Sequence, residues 1–187
     1  MPNGFKPKRL AKVIKVRQSQ DPKTKECNTI REEQTLPIGE DVLVAEIGGG
    51  PRWKQVNFPV TIFQNFFGAE RGNNKYTIKL QNIAKDGTLG DMETRQAVTV
   101  ASNNFRFEIH CAETSMQYPG NTSRPIGLFV KLNSSTFMYQ VLMPTDEPYS
   151  RIKDFLYREA IAGRKGELKR CVVHIEAIHA LYPSLII

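Results

Sequence analysis

The sequence predicts a mainly β protein of about seven strands and two short helices, folded as a barrel or a sandwich. Three observations lead there. Apolar and polar residues alternate over much of the chain between Tyr76 and Leu142. Helical spacing is confined to two short stretches, and the strands follow one another too closely for the long crossovers of a βαβ sheet. The chain of 187 residues fits one domain, or one domain plus an arm. It is long enough to bury roughly 70% of its unfolded surface without a disulfide or metal staple.

Residues Met1–Thr35 are polar, with one short alternating stretch, Ala11–Val16. Asp41–Ile47 reads as a buried strand, because Val42, Leu43, Val44 and Ile47 are apolar and Gly48-Gly49-Gly50-Pro51 ends it. Arg52-Trp53-Lys54-Gln55-Val56-Asn57 reads as a polar and aromatic loop. Pro59 then stands at a helix start, with Ile62, Phe63, Phe66 and Phe67 on one face and Gly68 as the stop. From Tyr76 the period becomes two: Tyr76, Ile78 and Leu80 share a face opposite Thr77, Lys79 and Gln81. Asp86-Gly87 is a turn signal, and Gly90-Asp91 a weaker one. Thr94–Val100 and Phe105–Ile109 form two further strands separated by Ala101-Ser102-Asn103-Asn104. After the Pro119-Gly120-Asn121 loop, Ile126–Leu132 and Phe137–Leu142 flank Asn133-Ser134-Ser135 as a hairpin. Ser150 is placed to cap a second helix whose buried stripe is Ile152, Phe155, Leu156 and Ile161, closed by Gly163–Gly166. Cys171–Leu181 alternates and is rich in β-branched residues, which predicts a last strand.

Charge is concentrated at one end. Residues 1–25 hold eight bases and one acid, Asp21, whereas residues 26–187 hold 18 bases and 18 acids. The body is neutral and the basic arm is either a solvated linker or a segment drawn to a polyanion over a Debye length of ~8 Å. A neutral body excludes a uniformly basic nucleic-acid sponge, so any such contact needs a few placed Arg, Lys and amide side chains on one face. Cys27, Cys111 and Cys171 lie far apart with no C-x-x-C, which argues for a reducing compartment and against a cysteine zinc site. No apolar run approaches 18 residues, and Met1–Lys12 lacks the apolar core of a signal peptide; the expectation is a soluble intracellular protein with no membrane partner.

Catalytic constellations are weak. Glu167-Leu168-Lys169 has the E-x-K spacing of a metal-dependent nuclease core, but Asp154 upstream falls inside the second helix instead of at a strand end. His110, His174 and His179 have no metal-ligand spacing: on an alternating strand His174 and Glu176 share one face and His179 the other. Cys111 beside His110 would face the opposite side of its strand. There is no H-x-K, no H-E-x-x-H and no G-x-G-x-x-G, and the 48–50 glycines lead into Pro51 and not directly into a helix. No cofactor, no metal and no catalysis are expected.

Two polar clusters remain. In the first, Arg52 suits guanine O6 and N7, Gln55 and Asn57 suit adenine, and Lys54 suits phosphate; Trp53 is either a packing anchor or a stacking group. The second holds Glu93, Arg95 and Gln96, then Ser102-Asn103-Asn104 and Arg106. Regular strand geometry turns Arg95 and Gln96 to opposite faces, and Ser-Asn-Asn by itself reads as a turn.

The ordered set Gly49–Asn57, Ser102–Glu108, Arg124-Pro125-Ile126 and Phe137–Pro144 resembles the C-terminal B3-like DNA-binding domain of NgoFVII-type, BfiI-related restriction endonucleases, over about residues 38–160. The resemblance implies a seven-stranded open pseudobarrel with two short helices over residues 36–187, preceded by a basic arm or linker at 1–35. It also implies two arms gripping the major groove of double-stranded DNA. The first arm maps onto Arg52, Trp53, Lys54, Gln55 and Asn57, and the second onto Glu93, Arg95, Gln96, Ser102, Asn103, Asn104 and Arg106. In such enzymes a separate phospholipase D-like nuclease domain precedes the DNA-reading domain. The resemblance thus implies a monomeric, sequence-specific recognition half in the bacterial cytoplasm, partnered by that nuclease domain. The rival readings are a metal-dependent nuclease and an RNA- or protein-binding module.

Overall fold

The computed structural model describes residues 40–70, 75–100, 104–120, 122–160 and 166–185, the side chains of Thr99, Val100 and Asn104 excepted. These belong to the compact unit spanning residues 35–187. The 1–35 arm with its Ala11–Val16 stretch and Cys27, the loop residues Ala101, Ser102, Asn103 and Asn121, and Ile161 and Gly163 lie outside the described residues.

β1 (Asp41–Glu46) is apolar from Val42 to Ala45 because both of its faces are covered. It pairs with β7 (Ile126–Lys131) on one side and β9 (Arg170–His174) on the other, both antiparallel. With β3 (Thr77–Ile83), β4 (Leu89–Gln96) and β8 (Thr136–Leu142) these strands make a six-stranded sheet of order β4-β3-β8-β7-β1-β9. The β3–β8 pairing is parallel and the other four are antiparallel. A second sheet of three antiparallel strands, order β2-β6-β5, holds β2 (Gln55–Pro59), β5 (Val98–Val100) and β6 (Asn104–Glu108).

The pleat sends alternate residues of the large sheet into two cores. Leu43, Ala45, Phe129, Phe137, Tyr139 and Val141 face the small sheet and α1 (Val60–Asn65). Val42, Val44, Ile126, Leu128, Val130 and Leu142 face α2 (Tyr149–Glu159) and α3 (Ile175–Leu181). The first core is aromatic. Phe67, just past α1, has the ring centroids of Phe58, Phe63, Phe66, Phe107, Phe129 and Phe137 between 4.8 and 6.0 Å from its own. It touches both sheets at once. Gly68 follows at φ +75°, where a Cβ would lie 3.0 Å from the Ser134 carbonyl oxygen, so only glycine lets the chain turn there. The second core takes Ile152 and Leu156 from α2 and Ile175 and Ile178 from α3, at the 3–4 spacing of a helix face.

Several expectations change. Nine strands and three α-helices are present among the described residues, where seven strands and two helices were expected. They form two open sheets and not a closed barrel. Arg52–Asn57 is loop only as far as Lys54, because β2 begins at Gln55 and buries Val56 and Phe58. Gly90-Asp91 lies within β4, a largely exposed edge strand that needs no apolar face. Thr94–Val100 divides at fully buried Ala97, where the chain leaves one sheet for the other and the Ala97 amide donates to the Tyr76 carbonyl. α2 starts after Pro148 with no side-chain cap, so Ser150 lies within the helix and caps nothing. The expected last strand stops at His174, whose Nδ1 accepts weakly from the Glu176 amide (3.5 Å) and starts α3. His174 and His179 therefore do not share a strand.

Glu46 ends β1 as a buried carboxylate. Its Oε1 accepts from the Tyr157 hydroxyl at 2.8 Å, and its Oε2 accepts from the Lys169 amide at 2.8 Å and faces Arg124 Nη1 at 3.4 Å. The bond to Glu46 is the main cause of the raised pKa of Tyr157. Glu46→Ala strips three donors of their acceptor and leaves the mostly buried Arg124 uncompensated. The expected loss is about 3–5 kcal/mol, read as a fall in urea midpoint at unchanged slope.

Burial raises Cys111 from its ordinary 9.0 to about 12, Cys171 to about 11, and Tyr149 from 10.0 to about 12. Each neutral form is favoured in the folded state, so its contribution is complete below the unfolded value and is lost as pH climbs through the folded one. Stability to urea should therefore fall as pH rises above about 9 and continue falling to about 12, which equilibrium unfolding in a pH series would check.

Candidate nucleic-acid interface

The chain leaves β1 through Gly48-Gly49-Gly50-Pro51 and folds back in two tight turns. The Trp53 amide donates to the Gly50 carbonyl at 3.1 Å, and the Gln55 amide to the Arg52 carbonyl at 2.8 Å. Gly50 sits at φ +107°, a conformation that a side chain would strain. Trp53 is the anchor of this loop. It is 5% exposed, its ring centroid lies 6.1 Å from that of Tyr118, and its Nε1 donates to the Met116 carbonyl at 3.3 Å. Tyr118 in turn donates to the Ile47 carbonyl at 3.0 Å. The indole is thus spent on packing, which removes it from base stacking and leaves Arg52 exposed beside it.

β2 and β6 then build a polar face by alternation. Val56, Phe58, Phe105 and Phe107 point into the aromatic core, so Gln55, Asn57, Arg106 and Glu108 point outward. The register pairs Gln55 with Glu108 and Asn57 with Arg106, and Val98 of β5 continues the row beside Arg106. Gln55 Nε2 donates to Glu108 Oε1 at 2.9 Å, and Asn57 Nδ2 donates to the Gln55 carbonyl at 3.1 Å. The Gln55 bond, with the positive charges of Lys54 and Arg95, outweighs slight burial and lowers the Glu108 pKa below the usual carboxylate range.

Loop and face enclose an open cleft of about 370 Å³, lined by residues 48–52, Gln55, Asn57, Arg106 and Leu168. Four of the twelve residues expected from sequence meet there: Arg52, Gln55, Asn57 and Arg106. Neither guanidinium has an ion-pair partner among the described residues. Other expected residues are placed differently. Lys54 is half-buried and its carbonyl accepts from the Ile109 amide at 3.0 Å. Arg95 is held by Glu93 at 2.5 Å and donates from Nε to the Glu108 carbonyl at 3.3 Å, while His110 Nδ1 lies 3.5 Å from Glu93. Gln96 is exposed at the end of β4 opposite Thr77. Ser102 and Asn103 lie outside the described residues, and Asn104 is placed only as the β6 residue opposite Pro59. Sequence reasoning missed Glu108 as a member of this face, although it stands two residues from Arg106 on an alternating strand.

The arrangement offers planar guanidinium donors and side-chain amides on one rigid surface, the groups that read base edges. Of the E-x-K residues, Glu167 pairs with Arg170 at 3.1 Å and Lys169 gives its backbone amide to Glu46, while Asp154 is exposed on α2. Among the described residues no group of three or more His, Cys, Asp or Glu side chains is placed to hold a metal ion. No helix among them is long and apolar enough to cross a membrane.

No family model matches this chain, and no curated protein matches it. Among solved structures it is similar to the N-terminal domain of Helicobacter pylori LlaJI.R1, with a TM-score of 0.48 at 12% identity, over 71% of this chain and 97% of that one.

Proposed function

We propose that this chain is a double-stranded DNA-binding module that reads sequence in the major groove and carries no catalysis of its own. The observation that supports it most is the convergence of Arg52, Gln55, Asn57 and Arg106 on one cleft beside an outward sheet face. Neighbouring strands lie about 4.8 Å apart, so three of them span roughly 10 Å, which suits a major groove about 12 Å wide. In this reading Arg52 and Arg106 donate to guanine edges and Asn57 or Gln55 faces a base beside them. Glu93 and Arg95 brace β6 through the Arg95 bond to the Glu108 carbonyl. The two-armed B3-like pseudobarrel of restriction endonucleases supplies the parent context: a recognition domain joined to a separate phospholipase D-like nuclease domain, acting in the bacterial cytoplasm. The eight bases of residues 1–25 then add phosphate attraction without sequence choice.

Arg106→Ala should cost roughly 1–3 kcal/mol on a duplex selected from a random pool and much less on unselected duplex, measured by fluorescence anisotropy at fixed salt. Equal losses on both would make Arg106 a phosphate contact, and a chain that enriches no duplex would sink the proposal. Replacing the eight bases of residues 1–25 by serine should flatten the dependence of log affinity on log salt while leaving the selected sequence unchanged. Competition with duplex RNA and single strands checks that duplex DNA is the preferred polymer.

A further inference from the structure

Glu108 is the one group on the outward face of β2 and β6 whose charge opposes a polyanion. A carboxylate there repels phosphate, so a face built only for backbone contacts has no use for it. Yet it is held in place. Gln55 Nε2 bonds its Oε1 at 2.9 Å, and Oε2 accepts no bond among the described residues. A glutamate is ionised at neutral pH and the Gln55 bond favours that form, so it offers acceptors and no donor. Glu108 lies two residues from Arg106 on one face of β6, about 7 Å along the strand.

Base edges in the major groove differ in what they offer such a group. Guanine presents the N7 and O6 acceptors, thymine the O4 acceptor and a methyl, and adenine an amino donor beside the N7 lone pair. Cytosine alone presents its N4 amino donor with no acceptor next to it. We propose that Glu108 is a specificity-determining residue that accepts a hydrogen bond from the N4 amino group of a cytosine, within about two base steps of the base read by Arg106. This rests on the DNA-binding reading above. It adds a residue and a base class: the target carries a C·G pair under the Gln55–Glu108 end of the small sheet.

The test is enrichment of random duplexes by the full chain, wild type, Glu108→Ala and Glu108→Gln, at one salt concentration. The wild type should enrich a site with a fixed cytosine. Glu108→Ala should lower the preference for cytosine at that single position by about five- to 150-fold, the equivalent of roughly 1–3 kcal/mol, and spare the others. Glu108→Gln should shift that position toward adenine, which an amide reads through N6 and N7. Both variants should bind unselected duplex more tightly, because a like charge has been removed. Unchanged cytosine preference in Glu108→Ala overturns the inference. A wild-type site with no fixed cytosine overturns this inference while leaving DNA reading intact, whereas a wild type that enriches nothing overturns both.

Discussion

The packing of aromatic rings around Phe67 is the constraint on which the rest of this structure depends. Phe58 and Phe107 come from the small sheet, Phe129 and Phe137 from the large one, and Phe67 touches all four. Because side chains in a strand alternate, committing Val56, Phe58, Phe105 and Phe107 to this core leaves Gln55, Asn57, Arg106 and Glu108 no direction but outward. A slip of one residue between β2 and β6 would drive a guanidinium into the aromatic layer, at a cost no surface contact offsets. The polar face is a by-product of apolar packing, and its rigidity comes from the same source.

The electrostatics follow a similar economy. Residues 26–187 hold 18 bases and 18 acids, and several arginines and a lysine of the folded body have an acid beside them. Lys85 sits between Asp146 and Glu113, Arg95 is held by Glu93, Arg151 pairs with Glu147, and Arg124 serves buried Glu46. Arg52 and Arg106 stand out because they lack such a partner among the described residues and both line one cleft. Unneutralised guanidinium groups on a neutral background make directional contacts, where a basic field would attract any anion.

Elements with a strong apolar period were legible in the sequence: β1, β3, β6, the β7–β8 hairpin, α1 and α2 stand where alternation or 3–4 spacing puts them. The rest were obscured for physical reasons. β2 offers only two inward apolar residues, Val56 and Phe58, after a polar loop. β4 is an edge strand with Leu89 and Met92 exposed, so burial imposes no pattern on it and Gly90-Asp91 resembles a turn. In the last segment Val172, Val173, Ile175 and Ile178 suggest a strand throughout, and the helix shows only in the spacing of Ile175, Ile178 and Tyr182. Most members of the first arm were legible as residue types suited to bases. Their convergence with Arg106 was not, because it depends on the pairing of β2 with β6 across some fifty residues of chain. Trp53 had two readings, and its bond to Met116 and contact with Tyr118 decide for packing.

The strand order also governs when this protein becomes itself. β1 occupies an interior position in the large sheet, yet both of its neighbours, β7 and β9, are encoded far downstream. During synthesis the nascent strand emerges from the ribosome with two bare edges and must wait for β7, some eighty residues later, before either is covered. The glycines that follow β1 and start the cleft loop wait with it, so the surface cleft is assembled only once β7 and β9 have arrived.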